Sequence, residues 1–203
     1  MTEIGNTFFF PWEVTLMEWL QANISDAWIS FMSFFSLFGE ELPLILIVGF
    51  LYWSYDKQLG RKVGLIAIMG LTWNTMIKNI IIRRRPYFDH EGIDILRVVE
   101  PEADIYDISA QGYSFPSAHS TNAETVFGSL AINLRKRWFT VIAIVIPLLT
   151  GISRFVVGAH YPTDVMAGWM LGLISVVLVQ TLQMRVKSTL TLYGILLVTA
   201  VPG

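Results

Sequence analysis

Long apolar blocks separated by short polar clusters make up most of the chain. Leu42–Trp53, Val63–Met76, Val141–Ile152 and Val165–Val179 carry no charge at all. A helix that crosses a bilayer needs ~20 mostly apolar residues. The pattern predicts spans at about Ile24–Phe38, Leu42–Tyr55, Val63–Ile82, Ser117–Leu134, Trp138–Val157 and Thr163–Gln183. The expected architecture is therefore all-α, a polytopic membrane helix bundle with about six transmembrane helices. The first two spans are short, and Ser120–Asn133 is polar enough that it should face the bundle rather than lipid. Thr189–Val201 is apolar but short, so it should lie in the interface or pack along the bundle. Near the start, Phe8, Phe9, Phe10, Trp12 and Trp19 interleave with Glu13 and Glu18, as in a helix lying in the membrane interface. Met1–Phe10 lacks the basic region and small-residue cleavage site of a signal peptide and is expected to be retained. One membrane-embedded domain is expected over residues 1–203, with 1–23 interfacial and 84–116 an outer loop.

Composition agrees with that reading. Of 203 residues 54 % are hydrophobic and 15 % charged, against about 25 % charged in soluble domains. No basic tail or charge run suggests nucleic acid as a partner. The absence of cysteine excludes disulfides, thiolate chemistry and cysteine-ligated metals. Lys57, Arg61 and Lys62, then Arg135, Lys136 and Arg137, then Arg185 and Lys187 fall on one side by parity. The positive-inside rule makes that side cytoplasmic, with both termini, in a multi-pass plasma-membrane protein. Lys78, Arg83, Arg84, Arg85, Arg97 and Arg154 fall on or just below the opposite face. An anion-binding site would explain cations there.

Three segments converge on that outer face. In Lys78-x6-Arg85-Pro86, a spacing of seven residues puts two cations on one helical face. A lysine two turns inside a membrane is usually functional, although it could snorkel, and Arg83 and Arg84 read equally well as headgroup contacts. In Tyr113-Ser-Phe-Pro-Ser-Ala-His119, Ser117 suits a helix N-cap whose free N–H groups bind phosphate. His119 can pass a proton near neutral pH, but a capping serine beside an idle histidine is the plainer alternative. In Ser153-Arg154-x5-His160-x3-Asp164, Arg154 is an oxyanion ligand, and Pro162 puts Asp164 in the first turn of a helix that follows His160. A carboxylate there could hold the histidine's tautomer, or the pair could be structural.

Other features are less directed. Tyr87–Phe115 holds many acids and could be a lid or a solvated loop. Glu124 could meet substrate, or close a capping box with Thr121. Gly168-x3-Gly172 reads as helix packing. His90 sits beside Asp89 and Glu91, more as a supporting or solvated group than a metal ligand.

Together the three segments resemble the signature of the type 2 phosphatidic acid phosphatase superfamily, the lipid phosphate phosphatases: Lys-x6-Arg-Pro, Pro-Ser-Gly-His and Ser-Arg-x5-His-x3-Asp. The first and third are matched with full spacing, and Pro116-Ser117-Ala118-His119 has alanine for glycine, whose amide still donates. The resemblance implies that His160 attacks phosphorus and becomes a phosphohistidine. Asp164 then orients His160, while His119 protonates the leaving alcohol and later activates water. Lys78, Arg85, Ser117, Ala118 and Arg154 would hold the phosphoryl group, with no metal and no cofactor. The partners are then a lipid phosphate substrate and membrane lipids, with no nucleic acid and no obligatory protein partner. Small bacterial members of this kind include phosphatidylglycerophosphate phosphatases, the favoured reading, and undecaprenyl pyrophosphate phosphatases. Transport of an anionic lipid would also use intramembrane cations, but it needs neither histidine, and no internal repeat is visible. Haloperoxidase chemistry, known from soluble relatives, fits poorly with the spans.

Overall fold

The computed structural model describes residues 5–98 and 100–201, and every regular element among them is helical. The chain runs through α1 (Pro11–Asn23), α2 (Asp26–Ser36), α3 (Glu41–Phe50), α4 (Lys57–Ile81), α5 (Pro86–Asp89), α6 (Ile108–Gln111), α7 (Ala118–Ala123), α8 (Ser129–Leu134), α9 (Arg137–Val156), α10 (Pro162–Arg185) and α11 (Thr189–Ala200). A 3₁₀ turn, Leu37–Gly39, follows α2, and π turns at Leu51–Tyr55 and Glu124–Gly128 extend α3 and join α7 to α8. Local chemistry sets the boundaries. Asp56 Oδ1 accepts from Gln58 N at 2.8 Å and Leu59 N at 3.1 Å, capping α4. Pro162 occupies the first position of α10, where its missing N–H costs nothing.

Helices α4, α9 and α10 are long and apolar enough to cross a membrane. The expected separate spans Ile24–Phe38 and Leu42–Tyr55 form a pair that meets at 51° across the break at Gly39–Glu40. Counting that pair as one span gives up to four by length and composition; the six read from apolar blocks would need both halves of the pair and the α7–α8 stretch to cross as well. Each half is too short to qualify alone, and the α7–α8 stretch spans only 118–134.

That stretch runs between α4, α9 and α10. Ser120, Thr121, Asn122, Thr125 and Ser129 are all buried, so its polar face does turn inward. Ala123, Val126, Phe127 and Leu130 pack with Leu44, Leu51, Leu59, Val63 and Ala143. Lipid gives helices little hydrophobic reason to associate, so close approach through small residues matters more. Gly168 abuts Ser117 and Ser120, and Gly172 abuts Thr121 and Glu124, which makes Gly168-x3-Gly172 a packing stripe. Short apolar α11 lies along the bundle, where Leu192 and Leu196 meet Ile66, Met69, Val176 and Val179.

Leu42, Ile45, Leu46, Phe50 and Trp53 are all exposed, Trp53 by 83 %. So large an apolar face suits hydrocarbon rather than water, and the protein is an integral membrane protein. Helix α1 is not wholly peripheral. Trp12, Glu18 and Trp19 are exposed, but Glu13 and Met17 are completely buried against the bundle. Residues 1–4, part of the segment expected to be retained and interfacial, lie outside the described residues.

A side chain at residue 172 would bring a Cβ within 2.6 Å of Glu124 Cβ and 3.0 Å of the Thr121 carbonyl. Gly172→Ile should therefore lower the thermal midpoint in detergent by several degrees, since overpacking costs about 1–3 kcal/mol. Gly194→Ala, where nothing lies within 4 Å, should not lower it. Equal midpoints for both variants would mean that α10 does not pack on α7 as described.

Candidate active site

Helix α4 stops at Ile81, and Ile82 takes a left-handed conformation at φ 48°. Asn6 takes up the released backbone groups: its N donates to Ile82 O at 2.8 Å, its Nδ2 to Ile81 O at 2.6 Å, and its carbonyl accepts from Arg84 N at 2.9 Å. Lys78 and Arg85 are therefore not on one helical face, as their spacing suggested. They converge by another route. Arg85 precedes α5 and donates Nε to the carbonyls of Gln111 (3.1 Å) and Gly112 (3.0 Å), and Nη2 to Gln111 O at 2.7 Å. Its Nη1 donates to Ala159 O at 2.9 Å and lies 3.4 Å from His160 Nε2. Lys78 Nζ donates to Tyr113 O at 2.8 Å. The expected outer loop thus ends inside the site, although most of its acids are exposed.

Ser117 is the N-cap of α7, as its sequence setting suggested, and its Oγ accepts from Ser120 N at 3.4 Å. Its own N donates to Asp164 O at 2.9 Å, joining the start of α7 to the start of α10. Ala118 opens the first turn of α7. His119 follows, with Arg154, His160, Arg85 and Lys78 as its titratable neighbours. Near the end of α9, Arg154 is 1 % exposed and donates Nη1 to Ser36 Oγ at 3.1 Å, while its Nε is buried without a partner. The chain then turns at Gly158, with φ +80° and the Asp94 carbonyl 2.1 Å from where a Cβ would stand. Only glycine fits that turn.

The turn delivers His160 and Asp164. Asp164 Oδ1 accepts from Arg83 Nη1 at 2.6 Å, and Oδ2 accepts from Ser114 Oγ at 2.7 Å and Tyr161 N at 2.8 Å. His160 Nδ1 lies 3.7 Å from Oδ2, close enough to pair but beyond hydrogen-bond length. Such contacts are often long without substrate. Burial, then the cations of Arg85, Lys78 and Arg154, hold the His160 imidazolium well below the usual histidine range. The ring is therefore neutral at pH 7, leaving Nε2 a lone pair beside Arg85. Among the described residues no group of three His, Asp or Glu side chains could hold a metal ion. The donor set of Lys78, Arg85, Arg154 and the first turn of α7 suits an oxyanion.

Several contributors escaped the sequence reading. Ser114 and Ser36 are ordinary serines until the fold sets them against Asp164 and Arg154. Arg83 meets no headgroup: it is fully buried between Glu13 and Asp164. Arg84 pairs with Asp89. Glu124 closes no capping box, because Thr121 lies inside α7 and bonds to the carbonyls of Ser117 and Gly168, both at 3.1 Å. His90 packs against Phe9 at 4.5 Å.

The sequence profile described as PAP2 superfamily matches residues 60–187, which include every candidate residue from Lys78 to Asp164. The chain belongs to the PAP2 superfamily. It is a phosphoric monoester hydrolase of a lipid phosphatase family. Phosphatidylglycerophosphatase B of Bacillus subtilis (strain 168) is 32 % identical over 159 residues, 72 % of this chain and 69 % of the relative. An undecaprenyl-diphosphatase of Sulfolobus acidocaldarius is 26 % identical over 170 residues, 83 % and 77 % of the two chains. The crystal structure of a transmembrane PAP2-type phosphatidylglycerolphosphate phosphatase from Bacillus subtilis superposes with a TM-score of 0.65 at 27 % identity, covering 87 % of each chain.

In this PAP2 site three clustered cations face few anions, so an added oxyanion should bind and stabilise the fold. Millimolar inorganic phosphate should raise the thermal midpoint of the purified protein, and Arg154→Gln should abolish the rise. An equal rise in both would place anion binding elsewhere.

Proposed function

We propose that this protein dephosphorylates a membrane lipid through a phosphohistidine on His160. The observation that carries the reading is a buried His160 whose Nδ1 faces Asp164 and whose Nε2 faces the Arg85 guanidinium. Nε2 attacks phosphorus while Lys78, Arg85, Arg154, Ser117 and the amide of Ala118 hold the phosphoryl oxygens. The ester P–O bond breaks, and His119 gives its proton to the departing alcohol. Asp164 steadies the imidazole and its positive charge. Water then gives a proton to His119 and attacks the phosphohistidine, releasing inorganic phosphate and free His160. Cations fixed in a low-dielectric site do here what metal ions do elsewhere.

A groove of about 490 Å³ between α3 and α4, lined by Leu44, Ile45, Val48, Leu65, Ile68 and Val126, also reaches Asn122. Asn122 is one turn from His119, so an acyl chain in the groove would bring its headgroup towards the site. We take the whole chain as one membrane domain in the plasma membrane, with about six crossings that include α7–α8 and both halves of the bent pair. The N-terminal segment then lies at the interface, and residues 84–116 lie outside with the active site. Both termini are cytoplasmic by the basic clusters.

Among substrates, phosphatidylglycerophosphate is favoured, on the similarity to the Bacillus subtilis phosphatase; undecaprenyl pyrophosphate is the alternative. Purified protein should release phosphate from phosphatidylglycerophosphate with a higher kcat/KM than from undecaprenyl pyrophosphate, and excess EDTA should not slow it. Preference for the diphosphate would favour the alternative. Inhibition by EDTA that Mg²⁺ reverses would overturn the mechanism. Phosphate release from neither substrate, with lipid moving between leaflets, would make the protein a transporter.

A further inference from the structure

Behind the site, two buried carboxylates share one guanidinium. Glu13, on α1, is completely buried. Its Oε2 accepts from Phe10 N at 2.9 Å and Arg83 Nη2 at 3.0 Å, and its Oε1 from Thr163 N at 3.0 Å and Thr163 Oγ1 at 2.6 Å. One carboxylate thus satisfies free N–H groups at the starts of both α1 and α10. Arg83 donates Nε to Phe8 O at 2.9 Å, and Nη1 to Thr163 Oγ1 at 2.8 Å and Asp164 Oδ1 at 2.6 Å. Its guanidinium carbon sits 4.5 Å from the Phe8 ring centre and 3.9 Å from that of Tyr161. Packing and hydrogen bonds hold the arginine on every side.

Three buried charges are a costly way to dock a helix, and apolar residues of similar volume would hold α1 at least as well. What the charges add is direction. With Oδ1 held by Arg83, Asp164 has only Oδ2 for Ser114, Tyr161 N and His160 Nδ1. We propose that Glu13 and Arg83 are positioning residues: Glu13 fixes Arg83, and Arg83 fixes Asp164 with Oδ2 turned to His160, so that the N-terminal helix completes the active site. The inference rests on the reading of His160 as nucleophile and Asp164 as its partner. Glu13 also lies outside residues 60–187 that carry the family match, so its end of the device comes from a segment the family profile does not span, while Arg83 and Asp164 lie within it.

The pH profile separates this role from simple docking. The charged and titratable groups around His160 are Arg85 from the α4–α5 link, Lys78 from α4, Arg154 from α9, His119 from α7 and Asp164 from α10. Wild-type kcat/KM should fall only below the ordinary histidine range, because His160 must be unprotonated to attack. Glu13→Gln removes a negative charge behind Asp164, favours neutral His160 and moves this acid limb lower. Arg83→Met removes a positive charge and moves the limb higher. The double variant returns it towards wild type.

The test uses the full-length protein in detergent, with dioctanoyl phosphatidate as probe and thermal midpoints measured alongside. Glu13→Gln and Arg83→Lys should lower kcat about 10–100-fold with KM within about twofold, and the limb should shift as described in the charge-removing variants Glu13→Gln and Arg83→Met. If Arg83→Met does not fold, Glu13→Gln carries the pH test and Arg83→Lys the kcat test. Unchanged kcat, or an acid limb that stays put in Glu13→Gln whatever the loss of rate, overturns the inference. His160→Ala separates the two readings. If it still turns over, the nucleophile assignment fails. If it is inactive while Glu13→Gln keeps full kcat and an unmoved limb, that assignment stands and only the role of Glu13 falls.

Discussion

A single carboxylate, Asp164, ties one end of the bundle together. Its two oxygens accept from Arg83, Ser114 and the backbone of Tyr161, and its carbonyl accepts from Ser117 N. These partners come from the chain after α4, the loop before α7 and the N-caps of α7 and α10. An unpaired charge at such depth is expensive, so the segments must stay together for the carboxylate to stay satisfied. That constraint sets where Ser117 starts α7 and where His160 stands.

The membrane imposes the second constraint. Helices in lipid gain little from hiding apolar surface and associate through close packing and hydrogen bonds. Gly168 and Gly172 bring α10 against α7, Gly70 brings α4 against Thr125, and Gly39 lets the α2–α3 break lie over His119. Small residues thus draw the helices close, and the polar face of α7 fills the interior. The end of this packed assembly held by Asp164 keeps Lys78, Arg85 and Arg154 close to two histidines in a low dielectric. Fixed charge of that kind can stabilise a transferring phosphoryl group without reorganising.

Much of this was legible in the chain. Uncharged blocks marked α4, α9 and α10, and the spacing from Ser153 to Asp164 placed His160 just before a helix with Asp164 in its first turn. Ser117 read correctly as a cap. The failures have physical causes. Apolar length did not reveal that α2 and α3 meet at a 51° break, because Gly39–Glu40 looks like any short connection. A seven-residue spacing implied one helical face for Lys78 and Arg85, but Ile82 turns left-handed and Asn6 takes up the carbonyls of Ile81 and Ile82. Glu13 looked like the wet side of an interfacial helix because its partner, Arg83, is 70 residues away. No local pattern encodes a contact of that range.

In the proposed reaction, phosphorus passes through His160. Rapid quench with a ³²P-labelled aryl phosphate, followed by alkali that spares phosphohistidine, tests it most directly. His119→Ala should form the phosphoenzyme and stall, since a good leaving group needs little proton donation while water still needs a base. Peptide mapping should place the label on residue 160, and His160→Ala should carry none. A normal phosphoenzyme in His160→Ala, with none in wild type or His119→Ala, would contradict the account and reverse the two histidines.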